Sequence, residues 1–284
     1  MSNKRATERS LRHGRYDKKT FMILPEIDPI AFQIGPLAIR WYSLTWIAAF
    51  FAIYYLLTKR SKDLSSDEIS DLMFYGMIGA IIGGRFGYML FYGTDQLLSD
   101  PFSIFYIWQG GLSFHGGLMG VLLSCYVLSK RWNVKFFWLM DFVAPCIPPG
   151  LGLVRVGNFL NSELLGRPTD SSWGIIFPSD PLGLLRHPSQ LYQAFAEGVI
   201  LFVFLIWISR KPKPTMKISR YFLIGYGVVR FITEFFRTPD AHIGFVAFDL
   251  LTRGQILCIP MMVIGIFLIY YSHLNKSLKN ETIS

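Results

Sequence analysis

The chain has 284 residues, of which 52% are hydrophobic and only 17% are charged. A soluble domain of this size carries roughly 25% charged residues, so the composition argues against an ordinary soluble protein and indicates that lipid is the solvent. The formal net charge of +9 includes +5 from residues 1–21, so the remainder carries +4. Residues 1–21 show no nucleic-acid-binding module and no apolar core of a signal peptide. We interpret them as a basic disordered N-terminal extension, or as upstream translation before a start at Met22, and expect no nucleic-acid partner.

Seven apolar runs have the length needed to cross the hydrocarbon of a bilayer. They are approximately residues 41–58, 71–92, 109–129, 136–153, 190–208, 218–236 and 254–271. The predicted fold class is therefore an all-α membrane protein of about seven transmembrane helices. The transmembrane domain covers residues 22–275, with an outer loop region at 154–189 and a cytoplasmic tail at 276–284. Prolines and glycines interrupt the fourth run, and such broken backbone survives in a membrane only where protein or a wet cavity covers it.

The loops set the predicted orientation. Loops 59–70, 130–135 and 209–220 and the C-terminal tail are basic, whereas loop 93–108 has two aspartates and no basic residue. The positive-inside rule places the basic loops in the cytoplasm and the N-terminus outside, together with loops 93–108, 154–189 and 237–253. Residues 1–21 favour the opposite orientation, but the four basic segments outweigh them.

Polar side chains from six spans converge near the outer side of the predicted membrane. Charged residues in a bilayer cost about 2.5 to 3.5 kcal/mol each on insertion scales, and they usually face a shared interior that has a function. Convergence at one depth therefore predicts an outward-facing polar site for an anionic lipid headgroup. The converging residues are Arg40, Tyr42, Arg85, His115, Arg155, Asn158, Asn161, Glu163, Arg230, Glu234, Arg237 and Gln255.

Residues 154–166, VRVGNFLNSELLG, carry a dense set of hydrogen-bond donors. Spacings of three place Arg155, Asn158 and Asn161 along one side of a helical turn, where they suit phosphate or hydroxyl oxygens. A polar junction between membrane and loop is the structural alternative.

Residues 225–240, GYGVVRFITEFFRTPD, place Arg230, Glu234 and Arg237 on one helical face. An ion pair that holds two helices together would explain Arg230 and Glu234 without any ligand. Arg155 and Arg230 together could instead bind a phosphate bidentately, which a lysine would do less well.

His115 is the leading candidate for a general base. It lies in GGLSFHGGLMG, where glycines on both sides let backbone or ligand approach the ring, and an imidazole accepts a proton near neutral pH. A packed histidine without chemistry is the alternative. The three cysteines lie in apolar stretches and no zinc-ligand spacing occurs, so we predict no metal and no cofactor.

Three further patterns favour structural roles. Gly79, Gly83 and Gly87 form a GxxxGxxxG ridge that predicts helix packing rather than a phosphate loop. The segment RHPSQLYQ, residues 186–193, suits interfacial anchoring, while Glu197 in the same span requires a partner that the sequence does not identify.

These segments together resemble the prolipoprotein diacylglyceryl transferases of bacterial inner membranes. The resemblance runs from Leu24 to the start of the last span, and its most specific match is GLVRVGNFLNSELLGRP. Supporting matches are LPEIDP with GPLAIRWYSL, GGRFGY, FHGGLMG, RHPSQLYQ, RFITEFFRTPD and GQILCIPM. The resemblance implies transfer of a diacylglyceryl group from phosphatidylglycerol to the thiol of a lipobox cysteine in a prolipoprotein, with release of glycerol phosphate.

The resemblance also implies functional residues, all of which match the family pattern. They are Tyr42, His115, Arg155, Asn158, Glu163, Gly166, Arg230 and Glu234. We predict His115, Arg155 and Arg230 as catalytic and the others as substrate-binding, and we add Arg85, Asn161 and Arg237 to the binding set. A monomer in the bacterial inner membrane is expected. The basic extension departs from the family pattern, which puts its own residues in doubt and leaves the site unaffected.

Other classes of membrane protein fit less well. A lipid or solute transporter with a central anion site would often be built from repeated halves, and no internal repeat is evident. A retinal protein needs a Schiff-base lysine, which the span 254–271 lacks. An intramembrane protease is disfavoured because neither a zinc pattern nor a GxSxG motif is present.

Overall fold

The computed structural model describes residues 22–210, 215–239, 244–247 and 251–281. The predicted N-terminal extension, residues 1–21, lies outside this part of the chain. The chain divides into two compact units, one formed by Met1–Ile53 with Ala144–Ser284 and the other by Tyr54–Val143. Each unit is described by itself below.

Every predicted span coincides with helical structure. The helices are α1 (Trp41–Arg60), α2 (Ser66–Phe91), α3 (Thr94–Ser99), α4 (Phe114–Arg131), α5 (Phe136–Val143), α6 (Ile147–Leu160), α7 (Ser189–Gln193), α8 (Leu201–Ser209), α9 (Lys217–Glu234) and α10 (Arg253–Glu281). Within the described residues, five helical segments are long and apolar enough to cross a membrane, namely Trp41–Arg60, Ser66–Phe91, Phe136–Leu160, Ser189–Ser209 and Arg253–Ser272. Large apolar side chains such as Phe51, Ile82 and Phe267 are exposed on them, as expected of surfaces that face lipid.

The remaining two predicted spans are helices of more polar composition. Helix α9 buries Arg220, Thr233 and Glu234, so part of its surface faces the protein rather than lipid. Helix α4 begins at Phe114, later than the predicted start at 109. Gly110 and Gly111 adopt φ of 81° and 76°, and the Ser113 hydroxyl accepts a hydrogen bond from the Gly116 amide as an N-cap.

The broken fourth span is covered by protein, as its sequence required. A 3₁₀ turn, Ala144–Cys146, separates α5 from α6, and Pro148, Gly150 and Gly152 are buried. A Cβ added at Gly150 would lie 2.8 Å from Ile53 Cδ1, and one added at Gly152 would lie 3.0 Å from Gly198 Cα. These glycines therefore let neighbouring helices of the first unit approach α6 closely.

The fifth span changes its helical geometry in the middle. Residues Ala194–Ile200 form a π-helical segment between α7 and α8. Short π segments within helices occur frequently at functional sites, because the extra residue shifts the facing of the side chains around it. Glu197 and Gly198 are buried in this segment.

The glycine ridge predicted for helix packing is confirmed in the second unit. A Cβ added at Gly83 would lie 2.4 Å from the Gly116 carbonyl oxygen, and one added at Gly79 would lie 2.5 Å from that of Gly120. Helices α2 and α4 thus meet backbone to backbone. The glycine after His115 serves this contact between helices.

Seven short strands accompany the helices, so the described structure is mostly helical rather than all-α. Strand β1 (Met22–Ile23) pairs in parallel with β4 (Ile175–Ile176), which pairs antiparallel with β5 (Leu185–Arg186). Strands β2 (Ile30–Ile34) and β3 (Leu37–Arg40) form a hairpin, as do β6 (Phe245–Ala247) and β7 (Leu251–Thr252). The strands of two or three residues are too short to give a period-2 signal in the sequence, which requires at least about four residues.

The loop predicted at 154–189 begins later in the structure, because α6 continues to Leu160, and the residues that follow form a small packed structure. Leu24, Ile175 and Phe177 form its buried core, against which Phe159 and Leu165 pack. At the other end of the chain, α10 continues to Glu281, so residues predicted as a tail extend the last helix.

Candidate functional site

Two arginines from different helices share one buried carboxylate in the first unit. Arg155 of α6 places its Nε 3.3 Å from Glu197 Oε2, and Arg230 of α9 places Nη1 3.1 Å from Glu197 Oε1. The Glu197 side chain is 0% exposed, whereas those of Arg155 and Arg230 are 18% and 12% exposed. The accessible part of this cluster therefore belongs to the cations.

A second carboxylate fixes the far side of Arg230. Glu234 Oε2 lies 2.9 Å from Arg230 Nη2, and its Oε1 lies 3.1 Å from Arg237 Nη1. The Thr252 hydroxyl donates to the same Oε1 at 3.3 Å, and Gly254 allows the start of α10 to approach this carboxylate closely. Arg230 is thus held between two buried acids.

A chain of amide contacts runs from Arg155 toward the surface. Arg155 Nη1 donates to Asn158 Oδ1 at 3.4 Å, and Asn158 Nδ2 donates to Glu163 Oε2 at 3.3 Å. Asn161 Nδ2 donates to the other Glu163 oxygen at 3.2 Å. Glu163 is exposed, so its carboxylate lies at the open edge of the cluster.

Charges within this cluster of described residues are balanced. The three positive charges are those of Arg155, Arg230 and Arg237, and the two buried acids Glu197 and Glu234 pair with them. The third negative charge is that of Glu163, which is linked to Arg155 through Asn158. Buried charges are tolerated when they are paired and hydrogen-bonded. Because Glu163 is exposed and the other two acids are buried, an incoming anion would meet the arginines with one acid nearby at the rim.

Tyr42 reaches the same unit through helix packing. A Cβ added at Gly157 of α6 would lie 2.3 Å from Thr45 Oγ1 and 3.2 Å from Tyr42 Cδ2, both on α1. The absence of a side chain at Gly157 therefore brings the half-buried Tyr42 against the helix that carries Arg155 and Asn158.

Gly166 is buried at a crossing of backbone segments. A Cβ there would lie 1.9 Å from the His187 carbonyl oxygen, a clash with backbone that could not be relieved by a side-chain movement. Its own carbonyl accepts hydrogen bonds from the Thr238 hydroxyl at 2.8 Å and from Arg186 Nη1 at 3.1 Å. The backbones of Gly166 and Arg237 also form an isolated β-bridge.

The region between α6 and α7 contains a buried bidentate ion pair. Arg186 Nε and Nη2 donate to the two Asp180 oxygens at 2.8 and 2.9 Å. Burial raises the pKa of Asp180, but the hydrogen bonds and charge of Arg186 outweigh it and hold the pKa below its usual value of 3.8. Burial lowers the pKa of His187, which favours the neutral ring. The His187 Nδ1 lies 3.2 Å from the Tyr192 hydroxyl.

His115 and Arg85 belong to the second unit. His115 lies in the first turn of α4, is exposed and contacts the Phe114 ring edge-on. Arg85 is 3% exposed, and its guanidinium donates to the backbone carbonyls of Ser103, Ile104, Gly110 and Gly111. Substrate binding by Arg85 stays a prediction, since these contacts are to backbone.

Several polar residues are more deeply buried than the sequence predicted. The interpretation of 186–193 as interfacial anchors was wrong for Arg186 and Gln190. Both are buried, and Gln190 Nε2 donates to the Glu163 carbonyl. Glu197 gave the clearest signal, because an acid in an apolar span needs a cation, and the sequence lacked only the identity of that cation. Among the described residues, no group of three or more His, Cys, Asp or Glu side chains could hold a metal ion.

Comparisons with known proteins agree on one family. The family model described as prolipoprotein diacylglyceryl transferase matches residues 29–271. A relative from Pseudomonas entomophila is 50% identical over 265 residues, covering 91% of this chain and 98% of the relative. One from Acinetobacter baumannii strain SDF is 48% identical over 258 residues, covering 89% and 95%. Both relatives are named phosphatidylglycerol–prolipoprotein diacylglyceryl transferase. The chain belongs to the prolipoprotein diacylglyceryl transferase family.

Proposed function

We propose that this chain transfers the diacylglyceryl group of phosphatidylglycerol to the thiol of a lipobox cysteine in prolipoproteins. The observation that carries the proposal is the contact of Arg155 and Arg230 with opposite oxygens of Glu197, which brings two guanidinium groups to one place. The names of the relatives support both substrates.

The reaction exchanges one bond at a glycerol carbon. The cysteine thiolate attacks the carbon of the diacylglyceryl group that bears the phosphate. A carbon–sulfur bond forms there, and the bond from this carbon to the phosphate oxygen breaks. The leaving oxygen keeps the electron pair, which yields glycerol 1-phosphate and a thioether-linked prolipoprotein. Negative charge therefore grows on the phosphate, and the reaction is accelerated by fixed cations at that position.

Arg155 and Arg230 are proposed to bind this phosphate. Planar guanidinium groups donate two parallel hydrogen bonds to a phosphate, and two arginines held in place lose little freedom when the lipid arrives. Glu197 and Glu234 act as positioning residues, because each fixes a defined edge of a guanidinium. Arg237 supports the arrangement by holding the second oxygen of Glu234.

The polar edge of the site is proposed to bind the headgroup glycerol. Asn158, Asn161 and Glu163 form a connected set of donors and acceptors beside Arg155, and Tyr42 packs against the same helix. Hydroxyl groups of the headgroup would exchange with these contacts. Gly166 contributes by allowing close approach of backbone at this edge.

His115 is proposed as the general base. A cysteine thiol with a reference pKa of about 8.5 is mostly protonated at neutral pH, so a nearby base increases the thiolate fraction. The exposed position of His115 leaves its ring accessible to a substrate. Full activity in the His115→Gln variant would exclude this role.

The proposed setting is the bacterial inner membrane, with seven spans, the N-terminus outside and the C-terminus in the cytoplasm. The protein acts as a monomer in this proposal. The apolar helices and the family support membrane residence, and the basic loops support the orientation.

Transfer can be tested with purified protein, labelled phosphatidylglycerol and a lipobox peptide. The parent should form labelled thioether peptide, while Arg155→Ala and Arg230→Ala should each lower the rate by at least about 10²-fold, as loss of a preorganised donor does. Arg131→Ala is the matched control, since Arg131 pairs with Asp71 at an exposed position. Thermal unfolding in detergent checks that each variant is folded.

Two outcomes would contradict the proposal. Full product formation by either folded arginine variant would show that this arginine is not needed to bind the phosphate. Lipid movement across proteoliposomes without any peptide, together with no thioether product, would favour a transporter instead.

A further inference from the structure

We propose that Arg186 and Asp180 are positioning residues for headgroup binding, acting through the carbonyl of Gly166. The inference rests on the proposed function, because the site that they would position is the phosphate and headgroup site. Neither residue belongs to the cluster around Glu197, and each lies in the region between α6 and α7.

The ion pair fixes the direction in which Arg186 donates. Two of its nitrogens, Nε and Nη2, donate to Asp180, so Nη1 is left to donate to the Gly166 carbonyl at 3.1 Å and to the Thr238 hydroxyl at 3.3 Å. Asp180 is itself held by the amides of Leu184 at 2.9 Å and Leu182 at 3.3 Å. Arg186 is 7% exposed and Asp180 4% exposed, so water competes little for these contacts.

The segment that contains Gly166 connects the residues around Glu234 with those around Glu163. On one side, Thr238 donates to the Gly166 carbonyl through its hydroxyl at 2.8 Å, and the Thr238 amide donates to the Leu165 carbonyl at 3.0 Å. Thr238 follows Arg237, which pairs with Glu234. Displacement of Gly166 would therefore be transmitted to the residues that hold Arg230.

On the other side, the same segment carries Glu163. Ser162 and Leu164 both adopt φ of 54°, a left-handed conformation that non-glycine residues keep only when their surroundings enforce it. Contacts from α7 supply part of that enforcement, since Gln190 donates to the Glu163 carbonyl and Ser189 to that of Leu164. The Arg186 contact fixes the Gly166 carbonyl, two residues further along the chain.

A guanidinium is required for this role. Its planar fork presents donors in three fixed directions, which fit the two Asp180 oxygens and the Gly166 carbonyl at once. A lysine ammonium would keep the charge, but its single nitrogen cannot reach both partners with this geometry. Arg186→Lys therefore keeps the positive charge and removes only the fixed direction of the hydrogen bonds.

The test measures both substrate constants in Arg186→Lys and Asp180→Asn. The KM for phosphatidylglycerol should rise about tenfold or more in each variant, while the KM for the lipobox peptide stays within about twofold, because the headgroup contacts are the ones displaced. A purely structural role would lower the amount of active protein and leave both KM values unchanged. Thr238→Val removes the other side-chain donor to the Gly166 carbonyl and one acceptor of Arg186 Nη1, but it keeps the Arg186 contacts with Asp180 and Gly166. It should therefore raise the same KM by a smaller factor.

The controls separate failure of this inference from failure of the proposed function. Arg131→Lys alters an exposed arginine–aspartate pair and should change neither constant. No transfer by the parent would refute the proposed function. Transfer by the parent with an unchanged phosphatidylglycerol KM in folded Arg186→Lys and Asp180→Asn would refute the positioning role alone. If Asp180→Asn fails to fold, Arg186→Lys and Thr238→Val still decide the matter.

Discussion

Arginines in the two units have different kinds of hydrogen-bond partners. In the second unit, Arg85 donates to four backbone carbonyls between Ser103 and Gly111, and the Tyr88 ring lies 5.8 Å from its guanidinium carbon. In the first unit, Arg155 and Arg230 share the carboxylate of Glu197 and keep accessible surface. Burial of an arginine therefore does not by itself identify a ligand site.

The arginines of the two units differ in how much of each guanidinium group remains accessible to a ligand. Carbonyl dipoles satisfy the donors of Arg85 and tie a loop to a helix, which suits an arginine that holds backbone in place. In the first unit the acids pair with the arginines but leave the side chains of Arg155 and Arg230 partly accessible, so an incoming anion can contact both guanidinium groups. The comparison predicts catalytic defects when the contacts of Arg155 and Arg230 are changed and structural defects when those of Arg85 are changed.

Among the variants that test this comparison, Glu197→Gln should have the largest effect. Glutamine keeps the size of the side chain but removes the shared charge, and its amide nitrogen faces an arginine donor. We expect kcat to fall by about 10²-fold, as when a preorganised contact is lost. Inorganic phosphate should raise the thermal midpoint of the variant more than that of the parent, because the anion replaces the lost charge.

The control for Glu197→Gln is Asp71→Asn, which removes an exposed acid paired with Arg131. It should leave kcat and the response to phosphate unchanged. A Glu197→Gln protein with parental kcat and a parental response to phosphate would show that the shared carboxylate does not organise the arginines.

Arg85→Lys should act mainly on stability. A lysine has one nitrogen in place of the three that donate to these carbonyls, so we expect a loss of about 2 to 4 kcal/mol, as for other broken buried charged contacts. Hydrogen exchange should accelerate in residues 103–111, while the phosphatidylglycerol KM changes by less than about threefold. A tenfold rise in that KM at unchanged stability would instead support the substrate-binding role predicted from the sequence.

The sequence predicted the features that depend on spacing along a helix. Arg230 and Glu234 are four residues apart, and their ion pair follows from helical geometry alone. The ridge at Gly79, Gly83 and Gly87 follows similarly, because small residues at intervals of four make a groove into which another helix can pack.

The features that the sequence did not predict depend on contacts between distant segments. Arg85 binds backbone oxygens, which every residue has, so no residue type marks them. The partners of Glu197 depend on the direction in which the π-helical segment points its side chain. The role of Arg186 depends on how the loop that carries Asp180 folds back. Strands of two residues leave no periodic pattern at all.

Gly83→Ala tests the backbone contact in the second unit at a smaller scale. The added methyl group would lie 2.4 Å from the Gly116 carbonyl oxygen, so α2 and α4 must separate. We expect a loss of about 1 to 3 kcal/mol, as for other overpacked interiors. Gly76→Ala is the matched control on the same helix, because nothing lies within 4 Å of its added Cβ and alanine favours a helix. Equal thermal midpoints for the two variants would contradict the proposed packing.

The smallest expected effect is the pH response of the Asp180–Arg186 pair. Because the folded pKa of Asp180 lies below 3.8, its stabilising contribution is fully present above that value and is lost as the pH falls through the folded pKa. The stability difference between the parent and Asp180→Asn should therefore be constant from about pH 5 to pH 8 and narrow only in stronger acid. Thermal midpoints of both proteins across this range provide the measurement. A difference that already shrinks between pH 7 and pH 5 would mean that Asp180 is not held ionised by Arg186, and the fixed direction of the Arg186 donor would then have no basis.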